Sequence, residues 1–99
     1  MTFEELKTRV RNLQGREITE ADFHQHPNGG GWVENTACVN ETAYVSSDAI
    51  VLNNADVYNK AYIFDACISD DVTVGAYIEI EGNLKISGDG CIATGEGLW

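Results

Sequence analysis

His24 and His26 are the only histidines in this 99-residue chain, and they stand one residue apart in a stretch bounded by glycines. A His-x-His pair can give a metal two ligands, or one imidazole can serve as a general base. A zinc site needs a third protein ligand, and the nearby sequence offers only a carboxylate such as Asp22. Cys38, Cys67 and Cys91 are odd in number and widely spaced, which reads as reduced thiols and not as a disulfide or zinc framework. Asp70-Asp71 and Glu79/Glu81 are carboxylate pairs of the sort that divide acid and base roles when a pocket separates their pKa values. Outside a pocket they are solvated charges. Gly29 to Gly31 lead into a strand, which is the wrong setting for a phosphate-cradling loop. The expectation is a non-enzyme with no catalytic residue, no cofactor and no metal.

The elements that must position these residues follow one repeat. Val33, Val39, Val45, Val51, Val57 and Ile63 recur every six residues, and four residues after each stands a small one: Ala37, Ala43, Ala49, Ala55, Ala61 and Cys67. Between them lie turn formers such as Ser47-Asp48, Asn53-Asn54 and Asn59-Lys60. A small residue, an outward residue and a β-branched aliphatic make a short strand, because successive side chains alternate faces. Three hexads then close a coil of about 18 residues, and coils stack about 4.8 Å apart by parallel pairing. The aliphatics would fill the interior and the small residues the corners. After Ile63 the register slips by one, and Ile68, Val74, Ile80, Ile86, Ile92 and Leu98 continue at six. The inward partners become Val72, Ile78, Leu84 and Gly90, and Glu96 falls in the last inward slot. About three and a half coils are expected.

An amphipathic helix precedes the repeat. Thr2 and Glu5 form a capping box, Phe3, Leu6, Val10 and Leu13 share one face, and Gly15 is the stop. So short a helix needs an apolar surface to lie on. Thr19 to Phe23 could add one further turn, with a loop from His24 to Gly31. Residues 1–31 therefore form a helix and linker, and residues 32–99 the repeat.

The pattern resembles the hexapeptide-repeat family, whose motif is an aliphatic residue followed four positions later by a small one. The resemblance covers residues 33 to 98, about two thirds of the chain. The lead-in Asn28-Gly29-Gly30-Gly31-Trp32-Val33 is similar to solenoid proteins of unknown role in bacteria and their phages. This implies a mainly β fold, a left-handed parallel β-helix carrying the N-terminal helix. A right-handed, four-sided pentapeptide stack is the second choice, since its period fits only one step. The family also contains acyltransferases that bind coenzyme A through a histidine base at a subunit seam. Here His24 and His26 lie upstream of the repeats, which puts that activity third.

Face assignment places Trp32, Ile50 and Leu52 outside one face, Tyr44, Tyr62 and Phe64 outside another, and Tyr58 on the third. Such clusters are usually covered. The helix is expected to cover one, leaving the other for a partner or a second copy. From residue 32 onward, Lys60 and Lys85 face eleven carboxylates, within a total net charge of −10. That balance repels nucleic acid and suits a protein with a basic surface. The expected function is an acidic binding protein, a phage-type inhibitor that mimics nucleic acid and blocks a basic host or defence protein. Tyr44, Tyr62 and Phe64 would be anchors, and Asp56, Asp65, Asp70, Asp71, Glu79, Glu81 and Asp89 would supply charge. The alternative is a structural or oligomerisation module, with Ile50, Leu52, Leu98 and Trp99 at an interface between copies, most simply a homodimer. No apolar run is long enough to span a membrane, and no secretory signal stands at the start, so a cytoplasmic location is expected, in a bacterium or a phage-infected host.

Overall fold

The computed structural model describes residues 1–75, 78–82, 85–88 and 90–93. Within them the chain is mainly β, with one N-terminal helix, α1 (Phe3–Gln14). Thr2 accepts the Glu5 N–H, the Glu5 side chain accepts the Thr2 N–H, and Gly15 ends the helix at φ 67°. That carboxylate is held below its ordinary range, first by the Thr2 N–H and then by the Thr2 hydroxyl. The sequence signals at both helix ends are thus realised.

A 3-10 turn over Glu20–Asp22 follows, and then the strands β1 (Phe23–Gln25), β2 (Trp32–Glu34), β3 (Cys38–Val39), β4 (Tyr44–Val45), β5 (Ile50–Val51) and β6 (Asp56–Val57). Next come β7 (Tyr62–Ile63), β8 (Cys67–Ile68), β9 (Thr73–Gly75), β10 (Glu79–Ile80), β11 (Lys85–Ile86) and β12 (Cys91–Ala93). From β2 onward each strand pairs in parallel with the third strand after it. The result is three sheets visited in rotation: β2-β5-β8-β11 with β1 added antiparallel at its edge, β3-β6-β9-β12, and β4-β7-β10. We call these sheets A, B and C.

The register carries the six-residue period directly. Val33 aligns with Val51, Ile68 and Ile86 in sheet A, and Val39 with Val57 and Val74 in sheet B. Val45 aligns with Ile63 and Ile80 in sheet C. These aliphatics and Ala37, Ala43, Ala49, Ala55 and Ala61 form one core, most of them fully buried, with Val72 inside it and Ile78 packed against it. Leu84 and Glu96 lie outside the described residues.

The five-residue step falls where expected, but a different residue fills the corner. Ala66, not Cys67, takes the small inward slot. Cys67 aligns with Ile50 and Lys85 on the outer side of sheet A, where it is buried beneath α1. The deletion removed a turn residue: Asp65 alone separates Phe64 from Ala66. Asn53, Asn59, Asp65 and Asp70 all stand at left-handed φ of 58° to 60°, a conformation Asn and Asp tolerate better than other side chains. Gly82 and Gly88, at φ 87° and 103°, take the same corners one round later.

The N-terminal segment does two things. Leu6 and Val10 of α1 cover Trp32, Ile50, Leu52 and Cys67, with Phe3 edge-on to Trp32 at 5.7 Å between ring centroids. The stretch from His26 to Gly31 lies against β4: Gly31 N–H donates to Val45 O, and Val45 N–H to Asn28 O. Gly31 has no room for a side chain there, since a Cβ would stand 2.4 Å from Ser46 O. The loop expected from His24 to Gly31 therefore contains a short strand and an edge cap. Phe23 to Gln25 are too few to display a pattern. Ser46, on the outer side of β4's row, is 9% exposed, and its hydroxyl accepts the Asp65 N–H.

Candidate interaction face

The outer side of sheet A is covered over β2, β5 and β8, where Trp32, Ile50, Leu52 and Cys67 are buried. Ile50 and Leu52, expected at an interface between copies, are 0% exposed under α1. That expectation is corrected: the helix occupies their surface. Leu98 and Trp99 lie outside the described residues, as does Asp89.

Sheet C is different. Tyr44 and Tyr62 are neighbours in register, and their rings stack at 5.6 Å with 24° between planes. Phe64 lies 5.2 Å from Tyr44 and 5.9 Å from Tyr62 between centroids. The three rings form one platform. Tyr62 is 42% exposed, and Tyr44 and Phe64 are half-buried. No described element covers them as α1 covers the equivalent cluster on sheet A. The next strand continues both rows with carboxylates: Glu79 follows Tyr62 in register, and Glu81 follows Phe64 one round later.

The other acidic residues are spread around the stack. Asp56 sits outside sheet B between Cys38 and Thr73. Asp65 is at the corner between sheets C and A, and Asp70 and Asp71 are at the corner between A and B. Asp70 has structural work: its N–H donates to the Asn53 side-chain oxygen at 3.0 Å, and its Oδ2 accepts the Gly88 N–H at 3.1 Å. Of the described residues proposed for partner binding, Tyr44, Tyr62, Phe64, Glu79 and Glu81 share the sheet C face, and Asp56, Asp65, Asp70 and Asp71 do not.

The described ion pairs are Met1 amino group to Asp48, Arg11 to Glu17, and Arg16 to Glu34. Arg9 donates to the Asp48 carbonyl. Asp56, Asp65, Asp70, Asp71, Glu79 and Glu81 thus have no basic partner among the described residues.

Glu34, a residue without a role in the sequence reading, anchors the N-terminal segment. It accepts both Arg16 guanidinium N–H groups at 2.6 and 2.8 Å and the Asn53 N–H at 2.8 Å. Burial works to raise its pKa, but Arg16 and the Asn53 N–H outweigh this and hold it below the ordinary value. Its outward position with 8% exposure could not be seen from a strand pattern.

The histidines and cysteines lie outside sheet C's ring cluster. His26 is 3% exposed and its Nε2 is 2.8 Å from Ala43 O, whereas exposed His24 has Nδ1 2.8 Å from Asn35 Oδ1. Burial pushes the Cys67 thiol up. Cys38 and Cys91 are exposed in one row of sheet B. Three strand steps separate them, about 14 Å, beyond disulfide reach. A cleft at the C-terminal end of α1 is lined by Leu13, Leu52, Cys67, Asp70 and Lys85 among others, and holds about 240 Å³. Among the described residues no helix is long and apolar enough to cross a membrane. No protein family, curated protein or solved structure matches this chain.

Proposed function

We propose that this chain is a non-enzymatic acidic binding protein, a nucleic-acid mimic of the phage-inhibitor kind that blocks the basic groove of a host or defence protein in the cytoplasm. Its frame on this reading is a left-handed parallel β-helix of the hexapeptide-repeat type. The hexad motif and the rotation of strands through three sheets support that frame.

The observation that carries the reading is the open sheet C face. Three contacting aromatic rings stand uncovered beside Glu79 and Glu81, on a surface whose carboxylates lack cationic partners among the described residues. Aromatic anchors in an uncovered patch are what binding sites favour. The charge density also suits a mimic. Leaving aside Glu34 and Asp48, which pair with Arg16 and the Met1 amino group, residues 32–93 carry eight carboxylates against Lys60 and Lys85. Over three to four strand steps this is roughly one net charge per 2–3 Å of rise. Duplex DNA carries one per about 1.7 Å.

The test is displacement. A fluorescent DNA duplex bound to each of a panel of purified basic DNA-binding proteins is titrated with this protein at 50 mM and 200 mM salt, with polyglutamate as the charge control. A mimic displaces the duplex from at least one protein at concentrations where polyglutamate does not, and loses affinity as salt rises. Failure to outdo polyglutamate across the panel at 50 mM salt refutes the reading.

A structural module is the second reading, favoured by the apolar area of Tyr44, Tyr62 and Phe64. Two copies pairing through sheet C would give twice the 10.8 kDa mass in light scattering, with little salt dependence.

A further inference from the structure

We infer that the sheet C face reads guanidinium groups, and that its occupant is an extended segment with arginines at alternate positions. This deepens the binding-protein reading above and rests on it. The face is a small grid. One row runs Tyr44, Tyr62, Glu79 in paired register. The second, two residues further along each strand, runs Ser46, Phe64, Glu81. Within a row, successive side chains lie about 4.8 Å apart, and the rows are about 6.6 Å apart along the strand. An aromatic ring and a carboxylate are thus neighbours in each row.

That pairing fits one side chain better than others. Guanidinium is planar, so its face can stack on a ring while its N–H edge donates to a carboxylate in the same plane. Tyr44 already stacks on one face of Tyr62. A guanidinium laid on the other face, the one toward Glu79, sits between ring and carboxylate and offers its N–H edge to Glu79; one laid on Phe64 offers it to Glu81. Lysine ammonium is a compact, strongly hydrated charge that cannot stack. The row spacing equals the distance between alternate side chains of an extended chain, so Arg-x-Arg spans both rows. Charge complementarity selects a cation, since Glu79 and Glu81 form no ion pair among the described residues: Arg11 and Arg16 pair with Glu17 and Glu34, and Arg9 donates to the Asp48 carbonyl at the corner between sheets C and A.

The full chain is titrated calorimetrically at low and moderate salt with two blocked heptapeptides of equal charge, one Arg-x-Arg-x-Arg and one Lys-x-Lys-x-Lys. The arginine peptide should bind about five- to tenfold tighter. Tyr62→Ala should remove that preference, and Glu79→Gln with Glu81→Gln should weaken arginine binding. Asp56→Asn with Asp71→Asn, which removes two charges elsewhere, should leave the preference intact. Circular dichroism checks that each variant folds, and Tyr62 is exposed enough that its truncation spares the core. Equal affinities overturn the guanidinium inference while leaving the acidic-surface reading standing. No binding of either peptide at low salt overturns both. A preference that survives Tyr62→Ala refutes the placement. A neutral oligosaccharide or a second copy occupying the rings in place of the peptide overturns the assignment of the occupant.

Discussion

Replacing Arg16 with alanine should destabilise the protein by about 2–3 kcal/mol at pH 7. Removing one partner of a fully buried pair costs about 3–5 kcal/mol, because a buried charge is left uncompensated. Glu34 is 8% exposed, so most of that penalty applies. Two features reduce it. The Arg16 side chain is 32% exposed, so water can reach the vacated site, and the Asn53 N–H still bonds Glu34. The pH dependence separates this mechanism from lost packing. In the native protein the folded Glu34 carboxyl sits below its ordinary value. Its contribution is therefore present above the unfolded carboxyl pKa of about 4.3 and is lost as pH falls through the lower folded value. Without Arg16, burial dominates and lifts the folded value. The penalty is then full above that raised value and fades as pH falls through it. The stability gap between the two proteins should narrow from pH 7 to pH 4. Urea unfolding followed by circular dichroism at pH 7, 5 and 4 measures it, provided the denaturant slope is unchanged. Adding Glu34→Gln should recover part of the loss. A difference below about 0.5 kcal/mol at pH 7, or a gap that does not change with pH, would refute the reasoning.

The remaining predictions concern core, cap and thiols. Val57→Asp puts an unpaired charge in the interior and should cost several kcal/mol, enough to unfold the chain, whereas Asn40→Asp on the exposed surface should change stability by about 0.5 kcal/mol or less; thermal unfolding compares the two. Gly31→Ala drives a Cβ into the Val45 and Ser46 backbone, which cannot swing aside, and should lower stability by about 1–3 kcal/mol in the same assay. A maleimide should label Cys38 and Cys91 within minutes, and Cys67 only in denaturant, as mass spectrometry of timed samples would record.

The sequence carried the interior because a six-residue period of valines has one geometric consequence once three strands make a round. It carried α1 because Thr2, Glu5 and Gly15 are local signals that act on the backbone beside them. It also located the uncovered rings, since Tyr44 and Tyr62 are 18 residues apart and must be neighbours. It could not say which residue the shortened corner would lose. Ala66 and Cys67 are adjacent and both small, and only the spacing from the left-handed residue decides between them. Asn53 and Asn59 each stand two residues before their small partner, whereas Asp65 stands one before Ala66. Asp65 and its kin were readable as turn residues; the missing one was not. The Arg16–Glu34 pair joins residues on different elements, so no local pattern announces it. Ile50 and Leu52 were placed correctly on an outer face, but whether the helix or a second copy covers them is decided by where the linker brings α1. The acidic residues showed the opposite fault: composition groups them, while the corners of the stack scatter them.

The most direct measurement is a nuclear magnetic resonance titration of the labelled protein with a basic Arg-x-Arg peptide. Shifts should concentrate in three segments, residues 44–46, 62–64 and 79–81, which are distant in sequence and adjacent only across sheet C. Shifts confined to one segment, or centred on the Asp70-Asp71 corner, would contradict that placement.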